Sequence, residues 1–80
     1  MTEQDVLDVV RRTTVEVLPE VDPERVTTDG TTLTELGANS IDRADIVTTA
    51  MEELGVTVPV PAFEQVRDIR SLVAVLLEHC

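Results

Sequence analysis

The run DIRSLVAVLLEH, residues 68–79, constrains the fold of this chain most. Ile69, Leu72, Val73, Leu76 and Leu77 recur at intervals of three and four, which lines them up on one face of a helix. Asp68 stands where a residue capping that helix belongs. A short helix with so apolar a face is not stable alone and must bury it against other elements. The rest of the chain has to supply them.

Residues 3–18 place Val6, Val10 and Val17 on one side, with Val9 and Leu18 nearby, which predicts a first helix. Pro19 ends it near Leu18. Its many Val and Thr residues are weak helix formers, so packing has to hold it. A second helix is expected from Ser40, or one residue earlier, to about Leu54. Ile46, Val47, Ala50 and Leu54 form its buried stripe, Ile41, Ala44, Thr48 and Met51 line a neighbouring face, and Gly55 ends it. In VTVPVP two prolines spaced two apart argue against an internal strand, and a short helical piece over Ala62–Val66 is expected instead. Between Pro19 and Asn39 no periodicity persists. That long loop is expected to be functional or partly helical, with Asp29-Gly30 as a turn and Val26, Leu33 and Leu36 pinning it to the core. The prediction is an all-α fold in a single domain over residues 1–80, with three major helices, one short helix and a long loop between the first and second.

Eighty residues support one small core, and little room for a deep active site is expected. The core is aliphatic, since the chain has one Phe and no Tyr or Trp. Sixteen acidic residues face six arginines and no lysine, a net charge of -10. Such a surface is a poor partner for nucleic acid, whose phosphates call for clustered positive charge, and a better one for a basic patch on another protein. Part of the imbalance also serves solubility. No apolar run approaches membrane-spanning length, and the start MTEQD has neither the positive charge nor the apolar stretch of a secretory signal. A cytoplasmic, monomeric protein is expected.

The usual constellations of enzymes are missing. His79 is the only histidine and lies beside the terminus, so a serine-histidine pair with Ser40 has no support in the sequence. There is no phosphate-cradling glycine loop, and Cys80 next to His79 lacks the spacing of a structural metal site. Asp42, Asp45, Glu52 and Glu53 on the second helix read as a solvated or protein-docking face, because acid-base work would need a pocket that separates their pKa values.

Ser40 has two readings. As structure, it is the helix cap or the first residue after an Asn39 cap. As chemistry, Gly37, Ala38 and Asn39 leave its approach open, and the amino end of a helix offers free N–H groups and a positive dipole end where an attached phosphate is stabilised. Ile41, Ala44 and Met51 add a small apolar patch in acidic surroundings, suited to transient partners.

The stretch ELGANSIDRADI resembles the phosphopantetheine attachment motif of acyl carrier proteins: Asp or Glu, Leu, Gly, any residue, Asp, Ser, then Leu or Ile. Glu35, Leu36, Gly37, Ser40 and Ile41 match it in order. The helix through MEELG, the Val-Pro segment and the start of the last helix at DIRSL extend the resemblance over nearly the whole chain. It implies a carrier with no catalysis of its own. Ser40 would bear a covalent 4'-phosphopantetheine installed from coenzyme A by a phosphopantetheinyl transferase, and would present thioesters to an acyltransferase and a ketosynthase. It implies further that the second helix is the recognition element, with Asn39, Ile41, Asp42, Arg43, Ala44, Asp45, Met51 and Glu52 as partner contacts.

Two residues depart from the pattern. Asn39 replaces the usual Asp, and Arg43 is unusual so close to the serine; it either selects a partner or pairs with nearby carboxylates. Peptidyl carriers usually have Gly-Gly-x-Ser here, and Ala38 disagrees. The NSIDR variation, rich Arg, Val and Thr content and lack of Lys resemble discrete polyketide-pathway carriers, including those that give malonyl or acetyl units to an HMG-synthase-like β-branching enzyme. A fatty-acid carrier, an aminoacyl or siderophore carrier, and a small acidic adaptor without a prosthetic group remain alternatives.

Overall fold

The computed structural model describes residues 1–80 and is all-helical. Its elements are α1 (Glu3–Val17), α2 (Ser40–Leu54) and α3 (Ile69–Glu78), with short 3-10 segments at Pro23–Arg25 and Val60–Gln65. The expected fold class and the three long helices are borne out.

Capping fixes where each helix begins. Thr2 and Asp5, Asn39 and Asp42, and Asp68 and Ser71 each satisfy one another's backbone N–H groups across the first turn of α1, α2 and α3 respectively. At the far ends, the proline after Leu18 stops α1. Gly55, at φ 67°, lets the chain fold back so that its own N–H and that of Val56 reach the last carbonyls of α2.

The helix α1 packs against both α2 and α3. Its buried face is Val6, Leu7, Val10, Thr13 and Thr14. The predicted stripe was right at Val6 and Val10, but Val17, Val9 and Leu18 are only half-buried, and two threonines complete the face instead. Those hydroxyls are tolerated because they donate back into their own helix. Thr13 Oγ1 bonds the Val9 and Val10 carbonyls at 2.9 and 3.0 Å, and Thr14 Oγ1 bonds the Val10 carbonyl at 2.7 Å. In α3, Ile69, Leu72, Val73 and Leu76 are buried as predicted, joined by Val75, with Leu77 half-buried.

The loop between α1 and α2 is held at five buried positions: Val21, Val26, Leu33, Leu36 and Ala38. Arg11 ties it to α1 by donating to the Val26 carbonyl at 3.0 Å, and the Ile69 N–H ties it to α3 through the Thr31 carbonyl at 2.9 Å. The short helical piece differs from expectation in place and type. It is a 3-10 segment that begins at Val60, because Pro61 suits the first turn of a helix and Pro59 leads in with extended backbone.

Candidate functional site

The amino end of α2 is built by a turn that precedes it. Leu33 to Leu36 form one helical turn, closed when the Ala38 N–H reaches the Leu33 carbonyl at 3.0 Å, and Gly37, at φ 103°, makes the reversal. Ala38 is buried and anchors this turn. With that side chain turned inward, Gly37, Asn39 and Ser40 are exposed and the approach to Ser40 is open.

Ser40 is the first residue of α2, and Asn39 is its cap. The Asn39 side chain accepts the Asp42 N–H at 2.8 Å, and the Asp42 carboxylate accepts the Asn39 N–H at 3.2 Å. The Ser40 hydroxyl is thereby relieved of capping. The Ser40 and Ile41 N–H groups have no partner in the chain and face solvent at the positive end of the helix dipole. An exposed hydroxyl beside two free N–H donors suits a phosphodiester, so the residues present fit a phosphopantetheine group.

From Ser40 one stripe of α2 runs away at intervals of four and three through Ala44, Val47 and Met51. Those three residues form one wall of a cavity of about 540 Å³. Opposite them stand Val58, Val60, Phe63 and Val66 beside Leu72 of α3, with Leu33 and Thr34 from the loop. The bundle thus holds an open, mostly apolar cavity where little pocket was expected, and none of Asp42, Asp45, Glu52 and Glu53 lines it. Ile46 and Ala50 carry the contact of α2 with the core, while the expected partners Val47 and Leu54 are only half-buried. That leaves the adjoining face of α2 free to line a space. Sequence reasoning missed the far wall, and the half-apolar Val-Pro segment was the signal for it.

The predicted contact residues separate into groups. Ile41, at 72% exposure, stands in solvent together with Asp45 and Glu52. Ala44 is exposed at the cavity, and Met51 is half-buried in its wall. Asn39 and Asp42 are engaged in capping. Glu53 pairs with Arg12 of α1 at 2.7 Å, and this partner holds the Arg12 guanidinium above its ordinary pKa. Arg43 pairs with no carboxylate; it donates to Thr34 Oγ1 at 2.9 Å and reaches the cavity wall. His79 faces its own helix, with Nδ1 2.9 Å from the Val75 carbonyl, and makes no hydrogen bond to Ser40.

No helix is long and apolar enough to cross a membrane. The family model described as "Phosphopantetheine attachment site" matches residues 8–76. The chain is 37% identical over 78 residues to the polyketide biosynthesis acyl-carrier-protein AcpK of Bacillus subtilis (strain 168), covering 98% of this chain and 94% of that protein. It is 34% identical to an acyl carrier protein of Phenylobacterium zucineum (94% of each chain) and 32% identical to one of Caulobacter vibrioides (92% of this chain, 94% of the other). With the family's motif, helix order and length all present, the chain belongs to the acyl carrier proteins, non-catalytic carriers of acyl groups on phosphopantetheine.

Proposed function

We propose that Ser40 is the attachment point and that the protein carries malonyl or acetyl units in polyketide biosynthesis, as donor to an HMG-synthase-like β-branching enzyme. The observation that carries the attachment reading is the exposed Ser40 hydroxyl at the first position of α2, beside the unpartnered N–H groups of Ser40 and Ile41. The likeness to a polyketide carrier supports the pathway.

In the modifying step Ser40 Oγ forms the new phosphodiester bond, the pyrophosphate bond of coenzyme A breaks, and adenosine 3',5'-bisphosphate leaves. The serine proton passes to a base of the transferase. When bound, the group supplies a terminal thiol on which acyl groups ride as thioesters. The chain's own residues orient the attachment point: the Asn39–Asp42 cap fixes the first turn, and the buried Ala38 fixes the loop entering it. The transferase, the acyltransferase and the ketosynthase or HMG-synthase-like partner would meet Ile41, Asp45 and Glu52, which are exposed along α2. Their acidic members would give fast, salt-sensitive encounter with basic patches. Coenzyme A, the source of the arm, makes the cytoplasm the fitting compartment.

Incubation with coenzyme A and a broad-specificity transferase, followed by intact-protein mass spectrometry, tests the site. One added phosphopantetheinyl group on the parent and none on Ser40→Ala is the expected result. An unchanged parent mass beside a modified control carrier refutes it. Loading assays then test the pathway, because preferential acceptance of long fatty acyl chains or of aminoacyl groups would exclude the polyketide role.

A further inference from the structure

The cavity beside α2 carries a charge opposite to that of the molecule. The chain bears sixteen carboxylates and six arginines, yet the titratable groups on the cavity wall are Arg43, Arg67 and Asp68. Asp68 is engaged locally, accepting the Ser71 N–H at 2.9 Å and its hydroxyl at 2.8 Å as cap of α3. The two ion pairs of the chain, Arg11–Asp8 and Arg12–Glu53, lie elsewhere, so neither Arg43 nor Arg67 is neutralised. Arg43 is held at the wall by Thr34, a bond that uses one of its five N–H donors. The remaining wall is mostly aliphatic.

Resting on the reading of Ser40 as the attachment point, we propose that this cavity selects acyl groups ending in an ionised carboxylate, malonyl above all, with Arg43 and Arg67 receiving the carboxylate. A guanidinium presents paired N–H donors that match a carboxylate, and such charge-assisted bonds are stronger than neutral ones. Elsewhere on the surface, a field of net charge -10 repels an anionic acyl group. Val47 and Leu72 supply apolar contact for the uncharged part. An acetyl or aliphatic acyl group finds the same apolar wall but offers neither guanidinium a carboxylate partner.

The test uses the holo-protein, its modification checked by mass, loaded with malonyl or with isovaleryl, which has an isopropyl group where malonyl has its carboxylate. Hydroxylamine cleavage of each thioester is measured relative to the same thioester on free pantetheine, and NMR shifts are followed at Val47 and Leu72. Malonyl is expected to be protected more than isovaleryl by a factor on the order of 3 to 10. Arg43→Gln with Arg67→Gln should abolish that difference, while the two lysine replacements retain part of it. Circular dichroism checks the fold, and Arg67→Gln alone serves if the double variant does not fold. Equal protection of both thioesters, or a malonyl preference that survives the glutamines, overturns the proposal. So does an equal change in both thioesters, which would place Arg43 on the phosphodiester common to every arm. Absence of any mass gain refutes the Ser40 reading and this proposal with it; a mass gain without malonyl preference refutes this proposal alone.

Discussion

Asn39 and Asp42 cap each other across the first turn of α2, the side chain of each accepting the backbone N–H of the other at 2.8 and 3.2 Å. Ser40 sits between them without a part in the cap. Of the two structural readings of Ser40, cap or first residue after the cap, the geometry selects the second and puts the cost of losing the cap on Asn39. Ser40→Ala is expected to change stability by less than about 0.5 kcal/mol, and Asn39→Ala to cost about 1 kcal/mol. Urea denaturation of the two variants checks this, and equal costs would show that the serine shares the cap.

Within α3, Leu76 is fully buried and its neighbour Leu77 is half-buried. Leu76→Ala is expected to cost roughly 2 to 5 kcal/mol, and Leu77→Ala roughly 1 to 2 kcal/mol. Against the roughly 4 to 12 kcal/mol expected of eighty residues, the first loss removes a large share of the stability. Thermal melts of both variants, followed by far-ultraviolet circular dichroism, give the ranking.

Asp68 has its pKa lowered, first by the Ser71 backbone N–H and then by the Ser71 hydroxyl. A carboxylate with a folded pKa below its unfolded value adds stability that is complete above the unfolded pKa and lost as pH falls through the folded one. The window therefore lies below about pH 4. Asn at this position still accepts the Ser71 N–H but does not titrate. Asp68→Asn should lose less stability than the parent between about pH 6 and about pH 3, measured as the shift in urea midpoint. Comparing variant with parent cancels the relief of repulsion as the other carboxylates are protonated.

The Arg12–Glu53 pair joins α1 to α2 on the surface, with the Arg12 side chain 58% exposed. Arg12→Gln is expected to lower the melting temperature slightly in low salt and not at all in about 1 M salt, where the screening length falls to about 3 Å. An effect that persists in high salt would mean that the stem of Arg12, not its charge, matters.

Much of the site was legible because its signals are local. Gly37, Asn39, Ser40 and Gly55 sit at the two ends of one helix, and a helix end is decided by residues within a turn of it. The motif carried the family for the same reason, and α3 was read from five apolar residues in register with the helical repeat. The burial of Ala38 was not legible, because it depends on Leu33, to which its N–H is tied, and on core residues distant in sequence.

The sequence by itself determined the three long helices, their approximate limits, the acidic charge and a serine at the start of α2, since propensity, capping and charge act over a few residues. Only the tertiary structure decided where burial departs from the apolar stripes. Thr13 and Thr14 enter the core because α1 packs against both other helices, and their hydroxyls return to their own helix. The cavity, with both Arg43 and Arg67 among its lining residues, follows from the placement of Val60–Gln65 and of α3 beside α2. Residues more than twenty positions apart come to line one cavity there only through packing, and no periodicity along the chain encodes it.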